Sequence, residues 1–279
     1  MKSIIKYVEY FGRKASASRL SAYSAQTAFF MFFSLIPLVM LLFSLLNQIG
    51  SPTEDLSSAA ELYAPDVLSE FFELYYDEIF TDSKLSLTIV SAIALLWSAS
   101  KGVYAIIGGF NSVYEIKEGR NFILIRLIAM FYTVAFLVIM IAALLLMVFG
   151  NFIGNYLYAI FNELKGLVYI ISSFRFIIGF VFLVLFFTLV YKTVPGGKLK
   201  FSDQIPGAVM ASAGWVSFSI LFSFFVNNFS NYANIYGSLT AIIVLMLWLY
   251  ICMYIMFLGA EVNFILSSKV NKEEKTPAE

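Results

Sequence analysis

The sequence lacks histidine altogether and contains a single cysteine, Cys252. A lone cysteine excludes an intramolecular disulfide, and a zinc site of the usual cysteine and histidine kind is excluded with it. Chemistry that depends on a histidine base is excluded as well. A phosphate-binding loop of the Walker type is also missing, which argues against ATP hydrolysis by that route. From these absences we predict no catalytic residues, no metal site and no cofactor.

Charged residues are scarce too, at 13% of the chain against about 25% in a typical soluble domain. Hydrophobic residues make up 61%. A soluble fold of this length has too little interior to hide so much apolar surface, whereas a bilayer accepts it. The net charge is zero, so overall charge indicates no nucleic-acid partner. The composition therefore predicts an integral membrane protein whose partners are membrane lipids.

A transmembrane helix needs about 20 apolar residues, because the hydrocarbon core of a bilayer is about 30 Å thick. Six stretches meet that length: 25–46, 85–107, 125–149, 174–194, 205–226 and 238–266. We therefore predict an all-α integral membrane protein with six transmembrane helices. Residues 1–24 are predicted to be a basic cytoplasmic segment, 25–266 the transmembrane domain and 267–279 a cytoplasmic tail. Pro37 predicts a kink or a break in the first helix, since proline cannot donate a backbone hydrogen bond.

The charge of the flanking segments predicts the orientation of the helices. Loop 47–84 has nine acidic residues and one basic residue, whereas the segment before the first span has five basic residues and one acidic residue. Both termini are therefore predicted to face the cytoplasm. Two further segments are predicted to be amphipathic and not to cross the membrane. They are the basic segment 13–26 at the inner surface and the acidic helix 66–80 in the first extracytoplasmic loop.

Few polar side chains lie within or beside the predicted spans, and charged groups there are costly unless they are paired or serve a function. The candidate headgroup-binding residues are Lys101, Asn111, Arg126, Glu261 and Asn263. One interpretation pairs Lys101 with Glu261 as a structural ion pair, while basic side chains reach to the interface. Another makes this set a net-positive pocket for an anionic headgroup, because phosphate suits lysine and arginine donors. A proton relay through Glu261 is a third hypothesis.

Uncharged polar residues mark the predicted outer ends of the fifth and sixth spans. The candidate residues of an extracytoplasmic mouth are Asn227, Asn231, Tyr232 and Tyr236. Amides and phenols of this kind indicate either a polar mouth or a solvated turn with tyrosines at the membrane interface. The sequence leaves both interpretations open.

Several short motifs follow one another along the chain. They are WSASKG at 97–102, FN at 110–111, YGSL at 236–239, LWLY at 247–250 and GAEVN at 259–263. This set resembles the YihY/BrkB family of bacterial inner-membrane proteins, once labelled ribonuclease BN, over residues 21–265. Val262 is a mild departure, because the family typically has leucine there. The resemblance implies a six-helix fold in the bacterial plasma membrane and a link to envelope lipid movement and to virulence or serum resistance.

We therefore expect the protein to move a phospholipid or lipid-like amphiphile across the inner membrane without hydrolysing ATP, and not to be an enzyme. A secondary transporter of a small solute or ion is the alternative hypothesis. A ribonuclease is less favoured, because the chain lacks histidine and a basic groove for RNA. A scaffold role and a homo-oligomeric state are both left open by the sequence.

Overall fold

The computed structural model describes residues 12–48, 85–135, 137–138, 165–228 and 239–273. This part of the chain is helical and contains no strand, which confirms the predicted all-α class. In chain order the helices are α1 (Leu20–Gln48), α2 (Leu85–Val113), α3 (Phe122–Ala135), α4 (Lys165–Thr193), α5 (Ile205–Asn228) and α6 (Leu239–Glu273). A single 3₁₀ turn, Ser202–Gln204, leads directly into α5.

Three helices in the described part are long and apolar enough to cross a membrane, namely Thr88–Val113, Ser202–Val226 and Ile242–Ser268. Two shorter apolar helices, Phe122–Ala135 and Gly179–Thr193, overlap the third and fourth predicted spans. Large apolar side chains point outward from these helices, as expected where lipid replaces water. The predicted membrane class is confirmed in this coarse form, and the count of six spans stays a prediction.

The helices run in alternating directions, which brings the starts of α1 and α5 to the same place as the ends of α2, α4 and α6. Ser112, near the end of α2, donates a 3.0 Å hydrogen bond to the carbonyl of Ser18, just before α1. The segment after α4 is hydrogen-bonded to the end of α2 as well. At the start of α5, the Gly207 N–H donates to the side chain of Asn263 on α6. We call this meeting point the polar end of the bundle.

An aromatic core lies next to the polar end, where α2, α4 and α6 meet. The Phe110 ring packs edge-on against Tyr191, with ring centroids 5.5 Å apart, and against Phe257 at 5.3 Å. All three side chains are fully buried. The Tyr191 hydroxyl donates a 2.7 Å hydrogen bond to the Met256 carbonyl, so this buried phenol is satisfied within the core. The core therefore fixes how α2, α4 and α6 are rotated against one another.

Helices α5 and α6 approach closely enough to require glycine at their contact. A Cβ atom at Gly207 would collide with the backbone carbonyl of Gly259 and with the Asn263 side chain. A Cβ atom at Gly259 would in turn lie 2.9 Å from the Cβ of Ala211. Small residues at such contacts let two membrane helices come together at backbone distance. This seam places Asn263 against the first turn of α5.

The basic segment predicted over 13–26 is divided in the structure. Residues 12–17 form a short helix, and Arg19 adopts a φ of 54°, a left-handed conformation that separates this helix from α1. Lys14 of the short helix contacts Glu115, just after α2, and the Phe264 ring on α6. Ser18, just after the short helix, donates to Glu261 on α6. Helix α1 then continues without interruption through Pro37, so the break considered for that position does not occur. The predicted outer helix at 66–80 lies outside the described residues.

Candidate functional site

The five candidate headgroup-binding residues fall into two groups. Asn111, Glu261 and Asn263 lie at the polar end, whereas Lys101 and Arg126 lie around Trp97. Because an α-helix rises 1.5 Å per residue, Lys101 is roughly 15 Å along α2 from Asn111. The residues predicted as a single set therefore occupy two different levels of the bundle.

Glu261 is fully buried beside the short N-terminal helix. The Ser18 hydroxyl donates a 3.3 Å hydrogen bond to its Oε2 atom, while its Oε1 atom has no hydrogen-bond partner in the described part of the chain. Lys14 lies nearby, forms an ion pair with Glu115 and sits 3.9 Å from the centroid of the Phe264 ring. Lys14 is thus the lysine that the structure brings near Glu261, and the suggested pairing of Lys101 with Glu261 is not formed.

Asn263 ties α6 to the start of α5. Its side-chain oxygen accepts a 2.6 Å hydrogen bond from the Gly207 N–H, and its amide donates to the backbone carbonyl of Gln204 at 3.1 Å. The Gln204 side chain accepts a second bond from Asn263 at 3.2 Å and one from the Tyr114 hydroxyl at 2.6 Å. Burial raises the pKa of Tyr114 well above its ordinary value, so the phenol remains a donor. These partners all belong to the bundle itself, and the buried Asn263 amide uses both of its N–H donors on Gln204.

Asn111 lies at the end of α2 and organises the turn that follows it. It accepts a 2.8 Å hydrogen bond from the Gly196 N–H and donates a 2.6 Å bond to Glu118. Glu118 also accepts two hydrogen bonds of 2.7 Å from the Arg120 guanidinium. Arg120 lowers the pKa of Glu118 from its usual 4.5 to about 2, and the Glu118 carboxylate raises the pKa of Arg120. Asn111 therefore joins α2, the turn after it and the segment after α4.

Lys101 and Arg126 both lie close to one aromatic ring. The Arg126 guanidinium carbon is 4.5 Å from the centroid of the Trp97 ring, and its Nη2 atom donates a 2.9 Å hydrogen bond to the Trp97 carbonyl. The Lys101 ammonium is 6.0 Å from the same centroid and 5.4 Å from that of Phe30. We call Trp97, Lys101 and Arg126 the Trp97 clamp.

A groove of about 400 Å³ opens between α1, α2, the turn after α2 and the start of α3. Polar and apolar groups both line it, and they include Tyr23, Gln26, Tyr104, Asn111, Ser112 and Ile125. The clamp adjoins this groove, because Lys101 is one helical turn from Tyr104 and Arg126 follows Ile125 in sequence. Groove and clamp together form the candidate functional site.

Several residues of the clamp and the polar end were not singled out from the sequence. Trp97 lies within the motif WSASKG, but the pattern gave no sign that two cations meet at its ring. Gln204 lies just before α5, which has Pro206 in its first turn, and its sequence context indicates only a helix cap. Ser18 reaches Glu261 across 243 positions of the chain, and nothing in local sequence signals such a contact.

Most of the candidate mouth residues are not among the residues that the structure describes. Asn231, Tyr232 and Tyr236 lie outside the described residues. Asn227 belongs to the last turn of α5, and only its backbone is described. Over the described ranges no group of three carboxylate, thiol or imidazole side chains is arranged to hold a metal ion.

Comparison with known proteins adds an independent observation. A family model described as Virulence factor BrkB matches residues 11–279. The chain is 34% identical to the Putative ribonuclease-like protein YfkH of Bacillus subtilis, over 91% of this chain and 92% of that protein. It is 24% identical to a UPF0761 membrane protein of Photobacterium profundum, over 96% of this chain and 83% of that protein. A UPF0761 membrane protein of Aeromonas salmonicida is 25% identical, over 93% and 88% of the two chains. No solved structure matches the chain.

Proposed function

We propose that this chain, which belongs to the virulence factor BrkB family, moves a phospholipid or lipid-like amphiphile across the bacterial plasma membrane without ATP hydrolysis. Membership of the family confirms the resemblance expected from the motifs. The observation that carries the proposal is the groove between α1, α2 and α3, which is open to the outside of the bundle and has both polar and apolar walls.

An amphiphile needs a mixed surface of this kind in order to cross a bilayer. The main barrier is the desolvation of the headgroup, because an unpaired polar group costs several kcal/mol in hydrocarbon, by order-of-magnitude estimates. The Gln26 amide and the Tyr23 and Tyr104 hydroxyls, which line the groove, offer the headgroup replacement hydrogen bonds. The acyl chains need no such wall and can stay in the surrounding lipid.

The helix faces beside the groove suit acyl chains. On α2, Val90 and Ile93 are each 62% exposed, and on α3 Phe122 and Phe131 are 69% and 70% exposed. Exposed apolar faces of this extent fit contact with lipid better than contact with water. The proposal therefore places the headgroup in the groove and its tails against α2 and α3. In the orientation predicted from loop charge, the groove lies toward the cytoplasmic leaflet.

Transport by purified protein in liposomes tests this function. Vesicles that carry a trace of headgroup-labelled phospholipid are treated with a membrane-impermeant reductant, which destroys the label of the outer leaflet only. Active protein lets the label of the inner leaflet be destroyed as well. Protein-free vesicles give the baseline, and a label that stays half protected with every phospholipid class tried would refute the proposal.

A matched pair of variants connects the transport to the groove. Gln26→Trp places a bulky ring at the exposed rim of the groove, whereas Ala25→Trp places the same ring on another exposed face of α1. We expect the first variant to slow transport at least severalfold and the second to retain it. Equal rates in the two variants would move the pathway away from the groove.

A secondary transporter of a small solute or ion is a second candidate, and the observation that favours it is the buried Glu261. An unsatisfied carboxylate oxygen in a membrane bundle is a natural proton acceptor. Solute uptake that needs a proton gradient and is lost in Glu261→Gln would establish this alternative. Lipid transport that is unchanged in the same variant would assign Glu261 a structural role.

A further inference from the structure

The Trp97 clamp carries positive charge that the described chain does not balance. In the described ranges neither Lys101 nor Arg126 has a carboxylate within ion-pair distance. Three acids of the described ranges are engaged elsewhere: Glu118 binds Arg120, Glu115 binds Lys14, and Glu261 accepts from Ser18. Two positive charges therefore remain beside one indole ring.

The surroundings of the clamp are apolar and outward-facing. The Trp97 side chain is 56% exposed, Ile93 one turn before it is 62% exposed, and Leu127 beside Arg126 is 58% exposed. Contact with an aromatic ring stabilises each cation only modestly. A bound anion would stabilise positive charges in such a setting. Because the surrounding surface is apolar, the molecule that carries the anion must also have a part that is stable in hydrocarbon.

A phospholipid meets both conditions. Its phosphate supplies the negative charge, and its acyl chains match the exposed faces of α2 and α3. Arginine and lysine are the side chains that bind phosphate oxygens best. A site that holds one of each beside the same ring matches the charge of a phosphodiester. A headgroup with net negative charge fits better than a zwitterionic one, because a quaternary ammonium would bring a third cation to the site.

We propose that Lys101 and Arg126, which both lie close to the Trp97 ring, bind the phosphate of an anionic phospholipid. This subsite deepens the proposed function. Its biological role rests on that function, but its occupancy by a lipid can be measured without transport. It also separates the candidate residues: the clamp binds the ligand, whereas Asn263 and Asn111 hold the helices together.

Trp97 itself can report the occupancy. The chain has three tryptophans, so Trp215→Phe and Trp248→Phe together leave Trp97 as the only indole. The protein is reconstituted into vesicles that contain brominated phosphatidylglycerol or brominated phosphatidylcholine with the same acyl chains. Bromine quenches indole fluorescence at short range, so the ratio of the two quenching curves gives the preference for the anionic lipid. We expect a clear preference for phosphatidylglycerol, and equal quenching by the two lipids would overturn the proposal.

Charge variants test whether the preference comes from the clamp. Lys101→Met and Arg126→Met should each weaken the preference by about tenfold, the change expected for one lost charge-assisted hydrogen bond. Lys101→Arg keeps the charge and should keep the preference. Lys192→Met is the matched control, since Lys192 also lies near an aromatic ring, 5.7 Å from Phe201, but away from Trp97. A preference that survives in Lys101→Met, or falls equally in Lys192→Met, would contradict the assignment.

Two further arms separate the sources and the two proposals. Excess inorganic phosphate should leave the preference unchanged, and loss of the preference would reassign the clamp to free phosphate. Preferential quenching in a protein that transports no lipid would sink the proposed function and leave the subsite standing. Transport without preferential quenching would overturn the subsite and leave the proposed function standing.

Discussion

Individual polar side chains at the polar end use their hydrogen bonds mainly to connect neighbouring helices. Asn263 uses both atoms of its amide on Gly207 and Gln204, and Asn111 does the same on Gly196 and Glu118. Removing such a buried amide is costly, because its hydrogen-bond partners would be left unsatisfied. This makes the roles of Asn263 and Asn111 separable from ligand binding by stability measurements.

Asn263→Leu should lower the free energy of unfolding by about 1–3 kcal/mol, because the Gly207 N–H and the Gln204 carbonyl lose their buried partner. Denaturant titration in mixed micelles measures the change. Ser267→Ala is the control one turn away, where only a bond to the Phe264 carbonyl of the same helix is lost. We expect its effect to stay within about 0.5 kcal/mol. Equal effects of the two substitutions would contradict the structural role of Asn263.

The Glu118 carboxylate gives a pH dependence. Its pKa in the folded protein is lowered to about 2 from a usual 4.5, first by the Arg120 guanidinium. A lowered pKa means that its stabilising effect is complete above pH 4.5 and is lost as the pH falls toward 2. Thermal unfolding of the wild type and Glu118→Gln should therefore differ most at neutral pH and converge in acid. A difference that stays constant across this range would show that the carboxylate charge is not responsible.

At the scale of helices, the contact between α5 and α6 decides how closely the bundle packs. Two glycines face each other there, Gly207 on α5 and Gly259 on α6. The hydrophobic effect does not drive helices together inside lipid, so close packing and interhelical hydrogen bonds must do so. The seam provides both, since Gly207 also donates to Asn263.

Gly207→Ala should lower the stability by about 1–3 kcal/mol, because its methyl group meets the backbone of α6 with no space to move. Gly179→Ala on α4 is the matched control, since no atom lies within 4 Å of the added methyl group. That substitution should be neutral or stabilising by about 0.5–1 kcal/mol, as usual for glycine inside a helix. Thermal unfolding in detergent of both variants measures the contrast. A Gly207→Ala protein as stable as the control would mean that the seam is looser than described.

At the scale of the whole molecule, alternating helix directions gather the starts of α1 and α5 with the ends of α2, α4 and α6. The basic segments of the sequence flank these same ends, whereas the acidic loop 47–84 joins the opposite ends of α1 and α2. Positive charge is retained on the cytoplasmic side during insertion. We therefore expect the polar end and the groove to belong to the cytoplasmic half of the protein.

Cysteine labelling in intact cells checks this orientation. Cys252 is first replaced by alanine, and a single cysteine is then placed in the acidic loop by Ser58→Cys or in the tail by Thr276→Cys. A membrane-impermeant maleimide should label the first variant in intact cells and the second only after permeabilisation. Labelling of the tail variant in intact cells would reverse the predicted topology.

The membrane class, the helical fold and the family could all be predicted from the sequence. Apolar stretches of sufficient length exclude a soluble fold whatever their packing, and a set of ordered motifs is specific without reference to contacts. Most ends of α2, α5 and α6 lie within a few residues of the predicted ends, because glycine, proline and charged residues mark where these helices begin and end. These properties depend on local composition, which a sequence displays directly.

Contacts between polar residues were decided by the tertiary structure alone. The sequence offered Lys101 and Glu261 as an ion pair. In the structure Ser18 donates to Glu261 and Lys14 lies near it, whereas Lys101 and Arg126 both lie close to Trp97. The rotation of each helix, and the sliding of one helix along another, determine which side chains meet. Those two quantities follow from packing at Gly207, Phe110 and similar contacts, and no single segment of the sequence contains them.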